Sequence, residues 1–307
     1  DVKQEPNRKG FGRGLKKAGE KNEKVVALCA DLTESTQISV FAEAFPERYI
    51  EMGVAEQNLV TVASGMARAG KIPFTASYAA FSPGRNWEQI RTTICLNDQP
   101  VKIVGAHAGV SVGPDGATHQ MLEDIALMRS LPNMVVVAPG DSIEAEKATL
   151  AIAENGKPSY IRLAREKTPI FSTEHSPFEI GKAYVLRSGT DVSLLGTGTM
   201  TYQLLLLSRF LETAGISAEV VHVPTIKPLD EKTILASVQK TGRVVTAEEA
   251  QIAGGFGGVI AELLSEKSPT PLHRIGIHDR FGESGTPSEL LVHFNLTGET
   301  MLPEVLK

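Results

Sequence analysis

The sequence predicts an α/β protein of two domains, each a mostly parallel sheet flanked by helices. Short apolar runs of strand length alternate with segments of helical spacing. A Pro- and Gly-containing stretch breaks the rhythm near residue 180, and the same alternation then resumes. Strands that alternate with helices favour a parallel sheet, because each crossover helix must cover a sheet face.

Lys24-Val25-Val26-Ala27-Leu28-Cys29 is the first strand-length run, and Tyr49-Ile50-Glu51-Met52 reads as the next. Residues 55–69 carry Leu59, Val62, Ala63 and Met66 at helical spacing, and Gly70 ends that helix. A further strand leads into Tyr78, and more strands are expected over 101–106, 134–138 and 159–163. Asp141-Ser142-Ile143-Glu144 has the form of a capping box opening a helix. Residues 166–182 hold Pro169, Pro177 and Gly181 and read as a connection between domains. The expected division is a first domain over 1–170, a linker over 171–182 and a second domain over 183–307. In the second domain, strands are expected over 191–195, 218–223 and 243–246. Helices are expected over 202–211 and from Gly255-Phe256-Gly257-Gly258 onward.

The composition bounds the function. With 307 residues, 42% hydrophobic and 22% charged, the chain reads as an ordinary soluble globular protein. A formal net charge of −5 carries no nucleic-acid footprint. No apolar run approaches the roughly 18 residues of a membrane span. The polar start, Asp1-Val2-Lys3-Gln4-Glu5-Pro6, lacks the apolar core of a secretory signal. Cys29 and Cys95 read as buried free thiols in a reducing compartment, so a cytoplasmic protein is expected.

Two stretches carry the chemistry. The first is Gly53-Val54-Ala55-Glu56-Gln57-Asn58. A glutamate in the first turn of a helix is favoured by the helix dipole. Glu56, however, stands among Val54, Ala55, Leu59 and Val60. A buried carboxyl there is costly unless it has a partner or stays protonated. The second stretch follows the strand that ends near residue 106. His107 is followed eight residues later by Asp115 and four after that by His119, in a tightly turning loop with Gly113-Pro114-Asp115-Gly116. The C-terminal end of a parallel strand is where open α/β sheets place ligands.

Together, the Gly-x-x-Glu of the first stretch and Gly113-Pro114-Asp115-Gly116-Ala117-Thr118-His119-Gln120 resemble the pyrimidine-binding half of a transketolase, a family that runs on thiamine diphosphate. The implied fold is the pyrimidine domain followed by the transketolase C-terminal domain. No Gly-Asp-Gly followed by an Asn occurs in the chain, so the half that holds the diphosphate and its metal in that family is missing. The resemblance therefore implies the C-terminal subunit of a split transketolase. An N-terminal subunit would carry Mg2+ (or Ca2+) and the diphosphate, in a heterotetramer with a shared active site. The implied reaction moves a two-carbon ketol unit between sugar phosphates.

The same resemblance assigns residues. Glu56 would hydrogen-bond a pyrimidine ring nitrogen and promote the imino tautomer. Tyr78 and Phe81 would pack on that ring. Ser82-Pro83-Gly84-Arg85 is about one residue longer than the family spacing, which leaves the third aromatic without a residue other than Trp87. His107 and His119 would steady substrate oxygens, and Asp115 the hydroxyl next to the donor carbonyl. His107, with Glu56 and His119, is expected to be catalytic. It also separates this chain from the 1-deoxyxylulose-5-phosphate synthases, which resemble it but tend to be acidic there. Arg8, Arg165 and Ser35 match phosphate-binding positions, and Asp31 lies near them with no assigned role. The rival readings are the beta chain of a 2-oxoacid dehydrogenase's decarboxylase, a synthase fragment that needs no partner and a non-catalytic scaffold subunit.

The second domain holds two decoys. Gly196-Thr197-Gly198-Thr199-Met200-Thr201 partly resembles a dinucleotide fingerprint, but Thr201 replaces the third small residue and His222 stands where an acid is needed. Gly254-Gly255-Phe256-Gly257-Gly258 is better explained by close helix packing than by anion binding. His273 and His278 have no metal spacing with a cysteine.

Overall fold

Residues 25–29 and 102–106 are buried at every position, as central strands covered on both faces must be. The structure is a computed structural model and describes residues 2–307. Its strands are β1 (Gln4–Pro6), β2 (Val25–Cys29), β3 (Tyr49–Glu51), β4 (Ile72–Tyr78), β5 (Lys102–Ala106), β6 (Val135–Val137) and β7 (Ser159–Arg162). Then follow β8 (Lys167–Pro169), β9 (Tyr184–Arg187), β10 (Val192–Gly196), β11 (Ala218–His222), β12 (Thr225–Lys227), β13 (Val244–Gln251) and β14 (Leu272–Ile277).

The first sheet has the order β12-β6-β7-β5-β4-β2-β3, and the second β14-β13-β10-β11-β9. Pairings are parallel except at the edges β12 and β9. This is the α/β architecture that the alternation of strands and helices predicts.

Two connections differ from a simple chain of domains. The stretch read as a linker begins with β8, which pairs with β1 so that Gln4 faces Pro169. More consequentially, β12 leaves the second half of the chain and becomes the edge strand of the first sheet, with Thr225 opposite Val137. The halves also share a core. One cluster of buried residues runs from Leu28, Ile103 and Val136 to Leu195, Val221 and Phe256.

The helix Glu56–Arg68 is the crossover from β3 to β4 and buries Leu59, Val60, Ala63 and Ala67. Val62 and Met66, expected on its inner face, are half-buried and pack against the same core. At the helix Ser142–Glu154, Asp141 accepts from the Glu144 amide at 2.9 Å, as the capping motif predicts. The return arm differs, because Glu144 Oε2 accepts from Gly140 N at 2.6 Å and contacts His222 Nε2 at 2.7 Å. His222 thus has a structural partner across the two halves. The glycines near 255 behave as close-packing residues: a Cβ on Gly257 would lie 2.8 Å from Thr246 Oγ1. The two free cysteines are buried. No helix among the described residues is long and apolar enough to cross a membrane.

Lys102, the first residue of β5, is the one buried lysine among the described residues. It is fully buried, and its Nζ donates to Asn155 Oδ1 at 2.8 Å and Lys157 O at 2.6 Å. Burial pulls its pKa down to about 7. The unfolded chain holds this proton up to the ordinary value of 10.5, so between these values the unfolded state binds more protons and folding stability rises with pH. Lys102→Met should abolish that rise. Urea unfolding at pH 7.5 and 9.5 checks it: wild type should gain stability between the two, and the variant should not.

Candidate active site

The C-terminal edge of the first sheet gathers groups from distant parts of the chain. β4 ends at Tyr78, His107 follows β5, and Arg165 follows β7. Parallel register sets Tyr78 beside Ala106 and Gly105 beside Arg162, so these groups emerge on one edge. Gly105 is required there, because a Cβ would come within 2.1 Å of Tyr160 Oη.

Four rings form one cluster. Tyr78 stacks on His107 with centroids 3.9 Å apart and on Phe81 at 6.0 Å. His119 meets Phe81 edge-on at 5.5 Å and Tyr78 at 6.2 Å. His107 is buried, its backbone sits at a φ of +56°, and its Nδ1 has no hydrogen-bond partner. A non-glycine residue in that left-handed region is strained, and such strain concentrates at functional sites. Burial, then the positive charges of Arg8, Arg165 and His119, holds the His107 pKa down to about 3. His107 is therefore neutral near pH 7. His119 contacts Thr118 Oγ1 through Nδ1 at 2.9 Å, which leaves its Nε2 for another group.

The predicted anion-binding residues also come together. Arg8 donates to the main-chain carbonyls of Arg165, at 3.1 Å, and Ser35. Arg165 lies 3.6 Å from Asp115 Oδ1. Burial and the neighbouring Arg165 lower the Arg8 pKa from its ordinary value. Two guanidinium groups so close call for an anion between or beside them. Asp31, exposed and at a φ of +57°, is held through its amide by Glu51 Oε1 at 2.8 Å.

Glu56 is 2% exposed, and the structure answers how its carboxyl tolerates burial. Arg85 Nη1 lies 2.7 Å from Glu56 Oε2, while its guanidinium sits over the Phe81 ring at 4.9 Å. Asn86 Nδ2 donates to Glu56 O at 2.8 Å, fixing the helix start. Trp87 takes no place in the ring cluster; its indole N–H donates to Leu127 O at 2.9 Å. Sequence reasoning missed Arg85. The one available signal was the extra residue in Ser82-Pro83-Gly84-Arg85, which carries the arginine to this position.

A buried carboxyl, a cluster of aromatic and imidazole rings and two arginines thus share one parallel-sheet edge, an arrangement suited to a flat ring and an anion. Residues 4–170 match the transketolase pyrimidine-binding domain family, and residues 181–301 the transketolase C-terminal domain family. This chain belongs to the transketolase family, which is thiamine-diphosphate dependent. It is 45% identical to a Methanocaldococcus jannaschii chain named as a transketolase C-terminal section, over 98% of this chain and 95% of that one. It is 37% identical to a 1-deoxy-D-xylulose-5-phosphate synthase of Trichormus variabilis, over 97% of this chain but 48% of the synthase. Among solved structures it is similar to a split-gene transketolase described as an inactive beta4 tetramer, with a TM-score of 0.92, 44% identity and coverage of 98% and 97% of the two chains.

Two measurements test this electrostatic picture. Arg85→Met strips a buried carboxylate of its partner and should destabilise the chain by about 2 kcal/mol in urea unfolding, whereas adding Glu56→Gln should recover most of the loss. For His107, the unfolded imidazole takes up a proton below the ordinary 6.5, which the folded one refuses until about 3. Stability should therefore fall as pH drops through that window. His107→Asn, which tolerates positive φ, should lose less stability between pH 7 and 5 than wild type does.

Proposed function

We propose that this chain is the C-terminal subunit of a two-chain transketolase that transfers a two-carbon ketol unit from a ketose phosphate to an aldose phosphate. Its active site is shared with an N-terminal subunit. The observation that carries this reading is the convergence of Glu56, the Tyr78–Phe81–His107–His119 ring cluster and the Arg8–Arg165 pair on one sheet edge.

The residues present fit the pyrimidine part of thiamine diphosphate. Glu56 offers a buried carboxyl, Tyr78 and Phe81 offer ring faces, and His107 aims an unpartnered buried nitrogen. When bound, the cofactor supplies the electron sink that lets a ketose carbon–carbon bond break and re-form. The chain does the rest by position and electrostatics. Glu56, once its carboxyl is released from Arg85, would hydrogen-bond a pyrimidine nitrogen and would favour the imino tautomer. His107, neutral near pH 7, and His119 Nε2 would hydrogen-bond substrate oxygens. Asp115 takes the hydroxyl beside the donor carbonyl. Arg8 and Arg165, with Ser35, hold the distal anion. Relatives named for a 6-deoxy-6-sulfo-D-fructose and an apulose-4-phosphate transketolase act on substrates with a terminal anion, which such an arginine pair suits.

The partner rests on the likeness to chains named as parts of a split enzyme: this chain covers 95% of the archaeal C-terminal section and 97% of the split-gene chain. The similar split-gene chain forms an inactive tetramer of its own kind, which supports a second type of subunit. No group of three or more His, Cys, Asp or Glu among the described residues could hold a metal ion. We assign Mg2+ or Ca2+ and the diphosphate to the N-terminal subunit, in a cytoplasmic heterotetramer of two copies each.

The test is ketol transfer from xylulose 5-phosphate to ribose 5-phosphate with thiamine diphosphate and magnesium. The chain is assayed alone and with a candidate N-terminal subunit, and with pyruvate as the competing donor. Activity is expected only in the mixture and only with the ketose. Glu56→Gln should cut turnover by about 100-fold or more while the complex still assembles. Pyruvate-dependent turnover, or a Glu56→Gln complex that works normally, would sink this reading.

A further inference from the structure

The C-terminal half of the chain reaches the loop that bears Asp115 and His119 along most of its length. Glu249, in β13, is 3% exposed and points its carboxylate into that loop. Its Oε2 accepts from the Ser111 amide at 3.2 Å, and its Oε1 from Thr199 Oγ1 at 3.0 Å. Gly109, at a φ of +89°, makes room for it: a Cβ there would lie 2.4 Å from the Glu249 carboxyl carbon. Arg162 Nη2 in turn donates to Glu249 O at 3.0 Å, which fixes the strand that carries the carboxylate. Further along, a Cβ on Gly113 would meet Pro287 at 3.1 Å, and one on Gly116 would meet Ser284 Oγ at 2.4 Å. Gln120 Nε2 donates to Val110 O at 3.0 Å and Glu283 O at 2.8 Å.

We propose that Glu249 is a positioning residue for the donor-sugar loop 107–120, and that supplying this clamp is what the C-terminal domain contributes to the reaction. The carboxylate touches no substrate or cofactor. It accepts a hydrogen bond from the loop's own backbone and so fixes where Asp115 and His119 stand relative to His107. A carboxylate suits the task because its two oxygens accept at once, one from the Ser111 amide and one from Thr199 Oγ1. Thr199, at the start of the helix Met200–Thr213, aims it. The sugar role rests on the transketolase reading above; the clamp itself does not.

The neighbouring Glu248 provides the control. It is equally buried, but it accepts from Phe256 N at 2.7 Å and Gly257 N at 2.8 Å and caps a helix away from the loop. The experiment uses the reconstituted two-subunit complex and the variants Glu249→Ala, Glu249→Gln, Thr199→Val and Glu248→Gln. It reads the donor KM, thiamine diphosphate affinity and hydrogen exchange of the amides in 109–120. Glu249→Ala should raise the donor KM and weaken amide protection by about tenfold, with cofactor affinity unchanged. Glu249→Gln, which keeps an acceptor for Ser111, should restore most of both. Thr199→Val should show a smaller effect in the same direction, and it decides the matter if Glu249→Ala does not assemble. Glu248→Gln should lower thermal stability without moving donor KM or loop protection. Unchanged loop protection in Glu249→Ala, or a parallel loss of donor and cofactor binding, overturns the proposal. A wild-type complex without ketol transfer defeats the proposed function, while hydrogen exchange still tests the clamp.

Discussion

The ion pair between Arg162 and Asp124 ties the molecule together. Arg162 Nε lies 2.9 Å from Asp124 Oδ2, with Asp124 fully buried and Arg162 9% exposed. Tyr160 Oη donates to the same carboxylate oxygen at 2.7 Å, and Arg162 also reaches the main chain of β13. A buried pair of this kind adds little net stability, because desolvation offsets most of the attraction. Its value here is specificity. It joins two alternate positions of β7, Tyr160 and Arg162, to a helix of the first half and a strand of the second. Only one docking of the two sheets satisfies all three, and the shared apolar core fills in around that docking.

The edge built on this frame is electropositive, with a neutral centre. Arg8, Arg85 and Arg165 stand around rings whose one buried titratable member, His107, is kept uncharged first by burial and then by the charges of Arg8, Arg165 and His119.

Much of this was legible in the amino acids. The alternation of apolar runs and helical spacing indicated both parallel sheets, because strand burial on two faces leaves unbroken runs such as Val25–Cys29. Glu56, Tyr78, Phe81, His107, His119, Arg8 and Arg165 could be singled out by local motif and place, and the structure brings them to one edge. What stayed hidden is long-range. The pairing of β12 with β6 joins residues about ninety apart, and nothing in Thr225–Lys227 distinguishes it from a strand of its own half. Arg85 had no role in the motif until the fold set it 2.7 Å from Glu56. Glu249 sits in a run, Ala247-Glu248-Glu249-Ala250, whose two acids look alike on paper yet face a helix start and a loop respectively.

The small ribbon of β1 and β8 has a bearing on how such a chain could be joined to another. Arg8 begins two residues beyond β1, and Arg165 ends two residues before β8. The ribbon thus fixes the chain segments that carry Arg8 and Arg165, and Ile170 N extends it by donating to Lys3 O at 2.9 Å. A covalent fusion that tethers another polypeptide ahead of Gln4 would pull on this ribbon. Its junction would have to be slack enough to leave residues 3–6 in register. Otherwise the contact of Arg8 with Arg165 would loosen before any residue of the ring cluster moved.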